Sequence, residues 1–152
     1  MNSSHAAFWP IAALMFAAGV GIPIMATLNA GIGQQLQSPV AATVVLFGLG
    51  LVLAGIALGF AGLPGAAQFR EVEPWRYLGA LLVVFYILSV TWAAPRIGVG
   101  NAIFFVLLGQ LIAAAAIDHY GLWGAIKSAL TLRRAVGIAV MAVGVYLARK
   151  TA

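Results

Sequence analysis

The chain has no cysteine. Disulfides, thiolate nucleophiles and cysteine-held metal centres are therefore excluded. It is nearly as poor in acid, with three Asp and Glu in 152 residues. No charged side chain of either sign precedes Arg70. Charged residues make up 7% of the chain, against roughly 25% in a soluble globular domain. An ordinary water-soluble domain is excluded by that shortage. A disordered chain is excluded by the 64% of apolar residues and a mean hydropathy of +1.08, since disorder needs the opposite balance. The GxSxG, HExxH, GxGxxG and GxxxxGK[ST] patterns are missing too, so no enzyme, cofactor or metal is expected. The eight Lys and Arg are scattered and form no stripe able to track phosphates, so nucleic acid is not an expected partner. Membrane lipid is, because isolated basic residues contact anionic headgroups and set orientation. The start holds no Lys or Arg and makes a poor signal peptide, which leaves the first apolar run as a retained span.

What the chain does have is long apolar runs. About 20 apolar residues cross the hydrocarbon core as a helix. Five segments qualify, at about 8–30, 39–63, 75–94, 97–117 and 131–149. The expected fold is an all-α integral membrane protein with five transmembrane helices in one domain, 1–152. The fifth is the shortest, free of charge only over 135–148; Arg133, Arg134, Arg149 and Lys150 would have to snorkel to complete it. Pro23, with Gly21 beside it, predicts a kink or break inside the first helix, because proline removes a donor and clashes one turn back. Pro95-Arg96 predicts a tight turn between spans three and four.

Five spans put the termini on opposite sides of the bilayer. Five basic residues then share the side of the N-terminus (Arg70, Arg76, Lys127, Arg133, Arg134) and three the side of the C-terminus (Arg96, Arg149, Lys150). So small a bias is compatible with insertion in both directions and with an antiparallel dimer about an axis in the membrane plane. Gly55 and Gly59 form a GxxxG pair on helix two, which suits close helix packing, either within the chain or between chains.

Polar groups in hydrocarbon normally face a partner or a cavity. Asn29 near the end of helix one caps that helix, bonds a neighbour or lines a substrate cavity. Gln110 in mid-helix four, with Asn101 nine residues earlier, is a candidate polar contact for a solute. Trp92 is either a wall of that cavity or part of an interfacial belt with Trp9, Trp75 and Trp123. Asp118-His119 is a candidate pair for coupling or gating, since a carboxylate beside an imidazole can carry protons; structural pairing with Lys127 or Arg133 is the alternative. Arg96 either snorkels or attracts an anionic group at a cavity mouth. No acid lies in mid-span, which argues against an antiport built on one central carboxylate and suggests a neutral or weakly charged solute.

An ordered set of motifs covers nearly the whole chain: Gly21-Ile22-Pro23-Ile24-Met25-Ala26 with Leu28-Asn29-Ala30, Ser38-Pro39, Pro74-Trp75, Pro95-Arg96-Ile97-Gly98, Gly109-Gln110 and Asp118-His119-Tyr120-Gly121. This set resembles the YdcZ-like family, also called DUF606, of the drug/metabolite transporter superfamily. The resemblance implies a half-transporter of near five helices in the bacterial cytoplasmic (inner) membrane. It implies an antiparallel homodimer, or a heterodimer with a similar small membrane protein, moving an unknown small molecule. Arg76 departs from the pattern where another aromatic is expected, and it adds charge to the more basic side. A non-transporting packing or regulatory subunit of a larger membrane complex is the rival expectation.

Overall fold

A computed structural model describes residues 3–148, and all regular structure among them is helical. Contacts divide the chain into two compact units, Met1–Arg96 and Ile97–Ala152.

The first unit holds α1 (Ser3–Gln35), α2 (Pro39–Ala61), a short α3 (Ala66–Glu71), a 3-10 turn (Pro74–Leu78) and α4 (Gly79–Ile97), whose last residue crosses the boundary. The break expected at Gly21 and Pro23 does not occur: α1 is one helix with Pro10 and Pro23 inside it. Proline deletes a single N–H and crowds the carbonyl one turn back, here that of Gly19. The ladder on either side carries the helix past it, and the Thr27 hydroxyl donates to the Pro23 carbonyl at 2.8 Å.

α1 also runs five residues beyond the expected end. It closes with Ser38 N–H on Gly33 O at 2.9 Å and Gln37 N–H on Gln34 O at 3.2 Å, the paired bonds of a Schellman motif. Gln37 occupies the left-handed position at φ 52. Ser38 then caps α2, its hydroxyl oxygen accepting from Ala41 N–H at 3.1 Å, with Pro39 in the first turn, where a missing N–H costs nothing.

The core of this unit is two matched stripes of mostly small residues. Ala26, Asn29, Ala30 and Gly33 are buried on α1, and Ile87, Val90, Thr91 and Ala94 on α4. Both follow the i, i+3, i+4, i+7 spacing of one helix face. Small side chains let helix backbones approach where no hydrophobic force drives them together. Gly33 is the tightest point: a Cβ there would stand 3.2 Å from Thr91 Cγ2, 3.5 Å from Pro39 Cα and 3.6 Å from Ala42 Cβ.

The expected turn at Pro95-Arg96 is also corrected. Both residues are helical, and α4 ends at Ile97. The residue between α4 and α5 is Gly98 at φ 86, a conformation a side chain disfavours.

In the second unit, α5 (Val99–Tyr120) ends on Gly121 at φ 64. A 3-10 turn (Leu122–Gly124) and an irregular stretch lead to α6 (Leu132–Ala148). Thr131 caps α6 by accepting from Arg134 N–H at 3.3 Å. The α5 and α6 faces meet around Phe104, Leu108, Ala142 and Val145.

Among the described residues, four helices are long and apolar enough to cross a membrane: Phe8–Gln35, Pro39–Ala61, Pro74–Ile97 and Val99–Tyr120. The described part of α6 has 17 residues, about 26 Å at 1.5 Å per residue, against a core of ~30 Å. Arg149 and Lys150, invoked above to extend it, lie outside the described residues. Arg134 does not snorkel; it pairs with Asp118 at 2.6 Å.

Candidate functional site

The first unit brings three of the anticipated residues to the end where α1 passes to α2 and α4 closes. Asn29 is 2% exposed. Its amide donates to Thr91 Oγ1 at 2.6 Å, joining residues 62 apart in sequence. It therefore neither caps α1 nor faces lipid. Its Oδ1 has no partner.

The Thr91 hydroxyl accepts this bond while its own proton stays available. Thr27 and Thr43 spend theirs on the carbonyls of Pro23 and Pro39, one turn back; Thr91 makes no such bond. Pro95 adds a consequence. Without an N–H it cannot bond the Thr91 carbonyl, which leaves one acceptor among donors.

Thr91 borders a cleft of about 390 Å³ whose other walls include Gly33, Gln34, Gln37, Pro95 and Arg96. Arg96 Nη1 donates to the Trp92 carbonyl. Its guanidinium carbon lies 4.3 Å from the centroid of the Trp92 ring, a cation–π arrangement. Trp92 in turn borders a second, larger cleft of about 590 Å³ with Val40, Leu88 and Ala93, and Pro39 belongs to both.

Three cleft residues carry no motif that singles them out in the sequence: Thr91, Gln34 and Gln37. Gln34 is helical and Gln37 is the α1 cap. The available signal was composition: three glutamines within four positions, in a chain with few polar side chains.

The remaining candidates stand on the second unit. Gln110 is exposed on α5 and makes no side-chain hydrogen bond among the described residues. The cleft of that unit, about 220 Å³ and lined by Phe104, Phe105, Leu108, Ala142, Val145 and Tyr146, does not include it. Asn101 is half-buried, and its amide donates to Ile97 O at 2.9 Å.

Asp118 and His119 tie down the approach to α6. Asp118 takes the Arg134 bond, rather than Lys127 or Arg133, with both side chains about a third exposed at 35% and 34%. The Asp118 carbonyl accepts Ser128 N–H at 2.8 Å. His119 Nδ1 accepts Leu130 N–H at 3.0 Å, so that nitrogen carries no proton in this arrangement.

Gly55 and Gly59 meet nothing within 4 Å of where a Cβ would stand. They do not pack within the described chain. Along α2, Ala42 and Thr43 are its buried residues.

Apolar helices of membrane-crossing length, with a buried amide and a polar cleft at a helix end, define a multi-pass α-helical membrane protein. The family model described as "Putative inner membrane exporter, YdcZ" matches residues 10–147. The chain belongs to this family, is a multi-pass inner-membrane protein and has a transporter role. No curated protein and no solved structure matches it.

Proposed function

We propose that the chain is one half of a secondary transporter that works as an antiparallel pair and moves a small polar or amphipathic solute across the inner membrane. The observation that carries this reading is the Asn29–Thr91 bond at the polar cleft. A polar pair held inside apolar helices is costly unless it serves packing or a cavity. Here it orients a hydroxyl at the cleft wall. Asn29 is a positioning residue; Thr91, Trp92 and Arg96 are the solute-facing ones.

α6 supplies the fifth crossing, which puts the termini on opposite faces and makes an inverted partner possible. The open glycines of α2 and the exposed Gln110 are the surfaces offered to that partner, whether an identical chain or a similar small protein. Asp118 and His119 act as the gate by holding the α5–α6 connection closed.

The exposure of α2 also suits the rival reading, a packing subunit of a larger complex. Uptake by proteoliposomes holding only the purified chain separates the two: solute movement without any other protein supports the carrier and ends the subunit reading. Gly55→Leu and Gly59→Leu are expected to leave the melting temperature of the monomer unchanged or raised, because leucine is the better helix former and nothing stands in its way. The same changes should lower the yield of cross-linked pairs. An unaltered cross-link yield would remove α2 from the interface.

A further inference from the structure

The walls of the Gly33–Arg96 cleft hold donors and positive charge with no acid to balance them. The chain has no Asp or Glu before Glu71 and none between Glu73 and Asp118. Among the described residues the ion pairs join Arg76 to Glu73 and Arg134 to Asp118. Arg96 instead rests on the carbonyl and ring of Trp92. A guanidinium presents five donors in a planar fork matched to a carboxylate or phosphate, so most of its capacity is left over.

Two further features point the same way. The Thr91 hydroxyl, fixed as an acceptor by Asn29, has its proton to give. Gln37 holds the left-handed position of the α1 cap at φ 52, where glycine is the unstrained choice. The Schellman closure sets that backbone, and it leaves the Gln37 side chain on the cleft wall. α2 also starts at this cleft, at Pro39, and brings the positive end of its dipole. The stacked Trp92 borders the apolar cleft, which joins the polar one through Pro39.

We propose that the cleft binds the oxyanion of an amphipathic organic anion, with Arg96, the Thr91 hydroxyl and the Gln37 amide donating to the oxyanion and the apolar cleft beside Trp92 taking the hydrocarbon part. This rests on the carrier reading, whose solute it names by class; it replaces the neutral solute that the scarcity of charge suggests. The absent charge is absent from mid-span, whereas Arg96 stands in the last turn of α4.

Such an anion reaches the cleft either as a free organic acid or as the headgroup of an anionic lipid. The test is ligand-dependent thermal stabilisation of the full chain in dodecyl maltoside, which carries no phosphate. Benzoate is compared with its neutral and cationic counterparts, benzyl alcohol and benzylammonium, at matched ionic strength. Benzoate alone should stabilise, and Arg96→Gln should weaken its binding roughly tenfold or more, as expected for loss of a charge-assisted fork. Arg96→Lys should recover part of the loss.

Gln37→Gly guards against a merely misfolded variant. It relieves the backbone strain, so the ligand-free protein should melt higher while benzoate binds more weakly. A second arm adds phosphatidylglycerol without benzoate. Arg96-dependent stabilisation there, with none by benzoate, keeps the oxyanion cleft and makes lipid its source. Stabilisation unaffected by Arg96→Gln in both arms, or equal for benzylammonium, overturns the proposal. Binding without uptake in proteoliposomes would end the carrier reading and leave the cleft standing.

Discussion

At the scale of single residues, the Asn29–Thr91 pair shows how a few polar atoms acquire weight in an apolar chain. Hydrogen bonds between membrane helices average about 0.6 kcal/mol, with a maximum near 1.7. A stranded buried polar group costs more, about 1–3 kcal/mol. Thr91→Val keeps the shape and strands the Asn29 amide, so it should destabilise by about 1–2 kcal/mol. Adding Asn29→Leu should recover most of that loss, because both partners are then apolar. Chemical denaturation in detergent measures the cycle; simple additivity would show that the two side chains do not act as a unit. Half of this pair was legible in the sequence. An asparagine within an apolar run must be satisfied somewhere. Its partner was not legible, since nothing local links position 29 to position 91.

At the scale of elements, prolines were the misleading signal and glycines the reliable one. Pro23 and Pro95 lie inside helices, because one missing N–H is a local loss that the adjoining ladder absorbs. Gly98 and Gly121 stand where the backbone takes positive φ, and there the helices do end. Four of the five expected spans were legible from the apolar runs, and span ends were not: α1 keeps Gln34 and Gln35 in its last turn.

The α5–α6 connection makes a prediction at this scale. Its charge pair is about a third exposed, so Asp118→Asn should cost under ~1 kcal/mol in overall stability. The hydrogen bonds of the connection are more local. His119→Phe keeps an aromatic ring beside Tyr120, 4.7 Å away in the native chain, and removes the acceptor for Leu130. Hydrogen exchange should accelerate at the Leu130 amide and stay slow at Ser128, which bonds the Asp118 carbonyl. Equal acceleration at both would mean that the ring, not its nitrogen, holds the segment.

At the scale of the whole molecule, the proposed five crossings tie orientation to very few charges. Arg70 and Arg76 lie between α2 and α4. Arg76 pairs with Glu73 at 2.7 Å and lies 4.7 Å from the Trp75 ring centroid. Replacing both by glutamine levels the basic residues at three on each side. A reporter fused to the C-terminus should then be active on both faces of the membrane, with the wild type biased towards one. An unchanged reporter pattern would show that orientation is set elsewhere. Charge placement was fully legible in the sequence. What it gives is a bias and not a pairing, because partner choice depends on surfaces such as the open face of α2.

The crowding at Gly33 reaches beyond this one chain. An added methyl at 33 meets the Thr91 methyl first, at 3.2 Å, so alanine there needs that methyl to give by a few tenths of an ångström, and serine at 91, which drops Cγ2 but keeps the hydroxyl, removes the contact. Evolutionary drift at these two sites is thus coupled: substitutions should arrive together, and serine at 91 is the permissive step that opens position 33 to change.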